Sequence, residues 1–543
     1  MLVVAGSIGV LFYLWTLNYN KLGNFSDYSI IVDAAGKFGA GLRPFRDFST
    51  ALQSLPIWLA YACERLFGPR YLSLAYGNLL LTLCLFFIIV HYARRVFAFP
   101  LAIMIAMAVC VASSLQHGII WYNSIGLLLL SAIALKCADL LRVHAIRSRD
   151  ALLLALLLLL IGMTKMNFLA IAVGTVIFFV LANAIGMPRP RSGKKIAVLT
   201  VLAVAVCCAP PFIESFANHV ALSTWVREVI LNPMSARVIL VRVMFMPAFY
   251  FKEWAQWYPG TMLKGSVFCC LMVYGFLMYF AVVQFLGNQC RNFKALTIQI
   301  ALICLFWGST CLLVLTNMEI ESLGLSFCLI GVASMLLSGQ FPGDKWRKAI
   351  QSSAIVLVTY FLLVGSVSVA RHSRISFLKN VFTGQKISND GELGYFRGVE
   401  FSRQAAQGMV LMDEVLLKNK GLAVYWGPGL QMMNRVHGGV NDPAFPLWYQ
   451  RDITVHDSDT PRLIEAIERS GAELFVADRF WYDFYYVMPD GLSSYLDRTW
   501  ILEERDDRLV VFRKSVVGQS DAGAASRQLS AKSAPTLAGG KEY

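Results

Sequence analysis

Between Asn24 and Phe48 an otherwise apolar stretch gathers three carboxylates, Asp27, Asp33 and Asp47, and two guanidinium groups, Arg43 and Arg46. A carboxylate at a lipid–water boundary is partly desolvated, which favours its protonated form and makes it a stronger base. The planar fork of arginine binds phosphate oxygens bidentately. Together such groups can take a proton from a hydroxyl and hold an anionic leaving group. The alternative is a solvated loop whose charges pair with one another, which contributes little on an exposed surface. Asp33 stands six residues beyond Asp27, on a different helical face, and reads as structural. Periodic apolar residues over 28–38 and 50–67 predict two helices lying along a membrane surface.

The elements around this loop follow from composition. The 543 residues are 57% hydrophobic and 15% charged, against about a quarter charged in soluble proteins, so an ordinary water-soluble enzyme is excluded. A net charge of +14 would suggest nucleic acid in a soluble chain, but in a membrane protein the placement of the charge decides. Apolar runs at 2–17, 73–90, 98–115, 124–141, 196–213, 265–286, 295–315, 323–340 and 349–370 are candidate spans. The stretch 151–186 carries one charge, Lys165, and as a single helix would be roughly 50 Å long, beyond a ~30 Å hydrocarbon core. It therefore divides at Thr164–Asn167 into spans 151–163 and 167–186.

The charges support the division. With the N-terminus inside, five short cytoplasmic loops hold fourteen Lys/Arg, while the outer loops 115–123, 163–167 and 316–322 hold only Lys165. The expected fold is an α-helical polytopic membrane protein of about eleven spans, residues 1–370, with outer loops at 18–72 and 214–264. The second loop carries the interfacial aromatics of Trp254–Tyr258. Residues 371–515 predict a small α/β domain outside the membrane. Its strands are Leu422–Trp426, Glu473–Ala477 and Leu509–Phe512, and its helices Gly398–Lys418 and Pro461–Ser470. The Ser/Ala/Gly-rich tail 516–543 is expected to be disordered.

Nearly all of the twelve cysteines fall in or beside apolar runs, without ligand spacing, and the seven histidines form no HExxH or HxH pattern. No protein-only zinc site follows, no nucleotide motif is present, and a need for a divalent metal stays open.

Asp27-Tyr28, then Gly41-Leu42-Arg43-Pro44-Phe45-Arg46-Asp47-Phe48, then Gly162-Met163-Thr164-Lys165-Met166-Asn167 after a short span resemble the membrane-embedded GT-C glycosyltransferases that use polyprenyl-phosphate sugars. That class includes protein O-mannosyltransferases, the aminoarabinose transferase of lipid A and transferases of lipopolysaccharide core. The resemblance covers roughly residues 1–340 by pattern and is architectural only over 371–515. In two places the chain departs from the pattern: Tyr28 stands where many members have a second acidic residue, and Gln53-Ser54-Leu55-Pro56 replaces the usual apolar-Pro-Pro element.

What the resemblance implies is transfer of a sugar from a polyprenyl-phosphate donor to a hydroxyl of a glycan, lipid or protein acceptor. The transfer would occur on the outer face of a bacterial inner membrane, by inverting displacement, with a cytoplasmic N-terminus, a periplasmic C-terminal domain and no nucleic acid. Asp27 is the expected base and Asp47 the second carboxylate, orienting acceptor or sugar. Tyr28, Arg43, Arg46, Lys165, Asn167 and Glu319 are the expected substrate-binding residues, with Arg43, Arg46 and Lys165 facing phosphate. Each has a plainer alternative. Asp47 would pair with Arg46 or Arg43, and Lys165 would be a snorkelling interfacial lysine. Asn317, Glu319 and Glu321 would cap helix ends. Within 371–515, Trp481–Tyr486 would stack on sugars or pack against the membrane-domain roof, and Arg435 and His437, which could touch acceptor, are not assigned to the site.

Two other functions compete. An O-antigen-type ligase or polymerase also joins lipid-linked glycans outside the membrane, but depends on a large loop between late spans. A transporter needs ionisable sites near the midplane; apart from Lys165, the only charges within the spans are Lys136 and Asp139, near one cytoplasmic end.

Overall fold

The computed structural model describes residues 2–232 and 394–515, apart from short breaks, together with Ile355. Spans expected from residue 265 onward, the Trp254–Tyr258 aromatics, Glu319 with its neighbours and the tail lie outside the described residues.

Seven of the apolar runs are helices: α1 (Leu2–Thr16), α4 (Tyr71–Ala93), α5 (Phe99–Ala112), α6 (Tyr122–Val143), α7 (Ser148–Gly162), α8 (Met166–Gly186) and α9 (Gly193–Asn218). Among the described residues, α4 and α6 are long and apolar enough to cross a membrane. The stretch 151–186 is two helices, interrupted over 163–165. The loop after α1 holds the two expected helices as α2 (Ser26–Gly39) and α3 (Ser54–Phe67), and the short helix α10 (Leu222–Val226) follows α9.

At the opposite ends of the helices, charged pairs join neighbours: Lys136 Nζ lies 2.7 Å from Asp150 Oδ1, and Arg95 Nη1 lies 2.5 Å from Asp139 Oδ2. Lys136 and Asp139, the charges a transporter reading would use, are thus tied into helix-end ion pairs.

The C-terminal part is a four-stranded sheet with helices on both faces. Strand β1 (Lys21–Leu22) pairs in parallel with β2 (Glu400–Phe401), binding the segment after α1 to the chain's later part. Beyond α11 (Arg403–Lys418) come β3 (Val424–Trp426), α12 (Thr460–Arg469), β4 (Leu474–Asp478), α13 (Asp490–Thr499), β5 (Trp500–Arg505) and β6 (Leu509–Lys514). The strand order is β3-β4-β6-β5, with β3 parallel to β4 and the other pairs antiparallel.

Period-two alternation gives the sheet two apolar faces. On one, Leu474 and Val476 join a core with Met409, Met412 and the buried side of α2. On the other, Phe475 and Ala477 pack with Leu463, Ile467, Leu492 and Leu496. Tyr482 belongs to this second core, with its ring 5.6 Å from Phe512 and 6.5 Å from Phe475. Neither expectation for the 481–486 segment therefore holds at Tyr482, which packs inside its own domain.

Candidate functional site

The loop 40–53 is shaped by its own backbone before anything else grips it. Asp47 accepts a hydrogen bond from the Arg43 amide at 2.7 Å, and the Asp47 amide donates back to the Arg43 carbonyl at 2.8 Å. Phe45 sits at φ 63°, a left-handed conformation that costs a non-glycine residue about 1–2 kcal/mol. Burial of its ring beside Trp225 and Val229 offsets that cost. The Arg46 Nε lies 3.6 Å from Asp47 Oδ1 with Arg46 half exposed, and the Arg43 guanidinium stacks over Phe38 at 5.3 Å. Asp47 is therefore paired with Arg46 and fixed by the Arg43 backbone, and the arginine side chains point to different neighbours.

Residues from the end of α9 and the segment after it clamp this loop on both sides. Ser49 Oγ donates to Glu228 Oε2 at 2.6 Å. At the start of α3, Gln53 is the N-cap but gives its helix no side-chain cap. Its amide instead donates to the Gly162 carbonyl, and the Leu55 amide donates to the Met163 carbonyl at 3.1 Å. The orphan amide of Ser54 is satisfied by Glu214 Oε1 at 2.9 Å, while Trp225 Nε1 donates to the other oxygen of Glu214 at 2.7 Å. Asn218 Nδ2 completes the cluster by donating to Ser54 Oγ at 2.9 Å. These contacts seat the start of α3, and with it the loop after α2, directly on the break between α7 and α8.

Lys165 occupies that break. Its Nζ is half-buried, 3.4 Å from Asn123 Oδ1 and 4.2 Å above the Tyr122 ring. The Tyr122 ring lies 4.5 Å from that of Trp121, and Trp121 meets Tyr28 edge-on at 6.3 Å. The Tyr28 hydroxyl accepts from the Gly118 amide at 3.3 Å. A chain of rings thus connects α2, where Asp27 occupies the first turn, to Lys165. Asn167 stands half-buried in the first turn of α8. Of the expected site residues, Tyr28 and Lys165 meet around Trp121–Tyr122, and Arg43, Arg46 and Asp47 share one loop. The Asp27 side chain and Glu319 lie outside the described residues.

Arg435 and His437, which the sequence did not assign to the site, are engaged within the protein. Arg435 is bound to Glu64 at 2.7 Å, and the His437 ring lies 5.8 Å from that of Trp426. Reading the sequence missed Glu214, Trp225, Glu228 and Asn123. Glu214 had one visible signal, as the first carboxylate after the apolar run that contains Pro210-Pro211.

No protein-family model matches the chain, and no curated protein does. Solved structures do, and the likeness is one of fold. The chain is similar to ArnT from Cupriavidus metallidurans bound to undecaprenyl phosphate, with a TM-score of 0.51 and 11% identity over 95% of this chain and 98% of that one. The apo state of the same ArnT gives 0.46 and 12% over 94% and 97%. The apo oligosaccharyltransferase of Archaeoglobus fulgidus gives 0.41 and 10% over 95% and 74%.

Proposed function

We propose that the protein is a membrane glycosyltransferase that moves a sugar from a polyprenyl-phosphate donor to an acceptor hydroxyl on the outer face of the membrane. The observation that carries this reading is that the loop with Arg43, Arg46 and Asp47 runs into Gln53 and Leu55, which bond to Gly162 and Met163 at the break that holds Lys165, in a chain with the fold of ArnT, which was crystallised bound to undecaprenyl phosphate. Asp27 takes the proton of the acceptor hydroxyl as its oxygen attacks the anomeric carbon. The bond to the lipid phosphate breaks on the opposite face, so the configuration inverts and no covalent enzyme intermediate forms. Arg43, Arg46 and Lys165 receive the charge that accumulates on the departing phosphate. Asp47 orients acceptor or sugar, with Tyr28, Asn167 and Glu319 contributing to the binding surface.

The reading includes eleven spans, 1–370, followed by an outer domain, 371–515, that positions acceptor. Reporter fusions at Ala145 and Lys195 should both report cytoplasm, and a fusion at Ser373 the exterior. Opposite sides for the first two would mean that 151–186 crosses only once. The function is tested by incubating the purified protein with radiolabelled polyprenyl-phosphate sugars and envelope lipid or glycan acceptors. The expected product is labelled acceptor with released polyprenyl phosphate. Transfer of whole glycans from a lipid diphosphate, with no use of monophosphate donors, would establish the ligase alternative instead.

A further inference from the structure

The helix that carries Asp27 is held from above by the C-terminal domain. The 3-10 turn Gln431–Arg435, which follows β3, lies along one stripe of α2. The Met432 amide donates to Ser29 Oγ at 2.7 Å. One turn further, Asn434 Nδ2 donates to Asp33 Oδ1 at 3.2 Å, and Lys37 Nζ lies 2.8 Å from Asp33 Oδ2. A turn beyond that, the stem of Arg435 crosses α2 at Gly36, where a Cβ would overlap its Cδ. Positions 29, 33 and 36 share one helical face, so the turn fixes the rotation of α2 as well as its height.

Arg435 then reaches α3. Its Nη2 lies 2.7 Å from Glu64 Oε2, and Tyr395 Oη donates to Glu64 Oε1 at 2.8 Å. The Arg435 guanidinium also stacks on the Tyr395 ring at 5.2 Å. Glu64 is only 4% exposed on its side chain, so both its oxygens need these partners. Burial, with the Glu64 charge adding to it, pushes the Tyr395 phenol well above its ordinary range and keeps it a donor. A buried ion pair is weak evidence for stability but fixes a single geometry when fully hydrogen-bonded.

We infer that Arg435 and Glu64 are positioning residues: they lock α2 against α3 and so fix the height and rotation of the helical turn that carries Asp27, two residues before the gripped Ser29. This rests on the function proposed above and assigns the C-terminal domain a part in the chemistry, through α2, besides its handling of acceptor. Arg435 touches neither donor nor acceptor in this scheme. Its loss lowers kcat and leaves donor affinity nearly intact.

The test is a double-mutant cycle on the full-length protein between Arg435→Ala and Asp27→Asn, with transfer, lipid-donor binding and thermal unfolding measured on each. Arg435→Ala should lower kcat at least tenfold with the donor Kd changed less than about threefold, and Arg435→Lys should restore part of kcat. On the Asp27→Asn background, Arg435→Ala should add almost nothing, because orienting an absent base has no further effect. Additive losses, or a fall in donor binding equal to the fall in rate, would show a merely structural clamp and overturn the inference. Arg435→Gln keeps the stem that fills the Gly36 crossing, and the same cycle is run with it if the alanine variant does not fold. Near-normal transfer by Asp27→Asn alone would instead remove the base from the proposed function, and this inference with it.

Discussion

Asp27→Asn should abolish sugar transfer while the lipid donor still binds. Asparagine keeps the volume and most of the hydrogen bonding of aspartate but cannot accept a proton. Removing a positioned general base typically costs about 10²–10⁴ in rate with a smaller effect on ground-state affinity. Asp27 lies in the first turn of α2, eleven residues after the end of α1, which in the proposed topology brings it near the headgroup level of a donor phosphate. Arg46→Ala should behave differently. An arginine–phosphate contact exists before the sugar leaves, so its loss weakens donor binding, roughly tenfold to a hundredfold for one charged hydrogen bond. Binding of a labelled polyprenyl-phosphate sugar, measured beside transfer on both variants, separates the two roles. If Asp27→Asn transfers at a near-normal rate, the base is elsewhere and Asp47 becomes the candidate. Asp47 begins from a weaker position, since one of its oxygens already accepts the Arg43 amide and the other faces Arg46.

How far this site could be read from the sequence depends on how far apart its partners lie. Local periodicity was enough for the long helices and for α2 and α3, because an apolar run or stripe declares its own burial. The break at 163–165 was legible from one residue, since a lysine inside a 36-residue stretch with no other charge predicts an interface there. β5 and α13 carried no such signal. Residues Trp500–Arg505 read Trp-Ile-Leu-Glu-Glu-Arg, an edge strand exposed over most of its length, and α13 has a polar sequence whose buried residues are Leu492 and Leu496. The clamp on the first outer loop was illegible for a different reason. Ser54 finds Glu214 across 160 positions, Ser49 finds Glu228 across 179, and Arg435 finds the Glu64 carboxylate across 371. Each is a polar side chain that meets an orphan amide, hydroxyl or charge only after the helices have packed, and no spacing in one sequence encodes the meeting.

The second large effect belongs to that clamp. Glu214 is fully buried, and its two oxygens each take one buried N–H, from the Ser54 backbone and from the Trp225 indole. Glu214→Ala leaves both donors without an acceptor, and each buried unsatisfied group costs about 1–3 kcal/mol, so the loss should be roughly 2–6 kcal/mol. That is a large part of the stability of an ordinary domain. Trp225→Phe removes one donor together with its bond, leaves Glu214 capping the Ser54 amide at the start of α3, and should cost much less. The consequence for function follows from geometry. Without Glu214 the N-terminus of α3 loses its long-range cap, Gln53 and Leu55 are left as the links to the Gly162–Met163 carbonyls, and the loop with Arg43, Arg46 and Asp47 is held less firmly at the break between α7 and α8. Thermal unfolding in detergent, followed beside lipid-donor binding, measures both effects on one sample. Glu214→Ala should unfold well below the unsubstituted protein and bind donor weakly at temperatures where it is still folded, whereas Trp225→Phe should keep most of both. Equal stabilities for the two variants would mean that the Ser54 amide finds another acceptor, and intact donor binding in folded Glu214→Ala would mean that the loop keeps its place by the Gln53, Leu55 and Ser49 contacts alone.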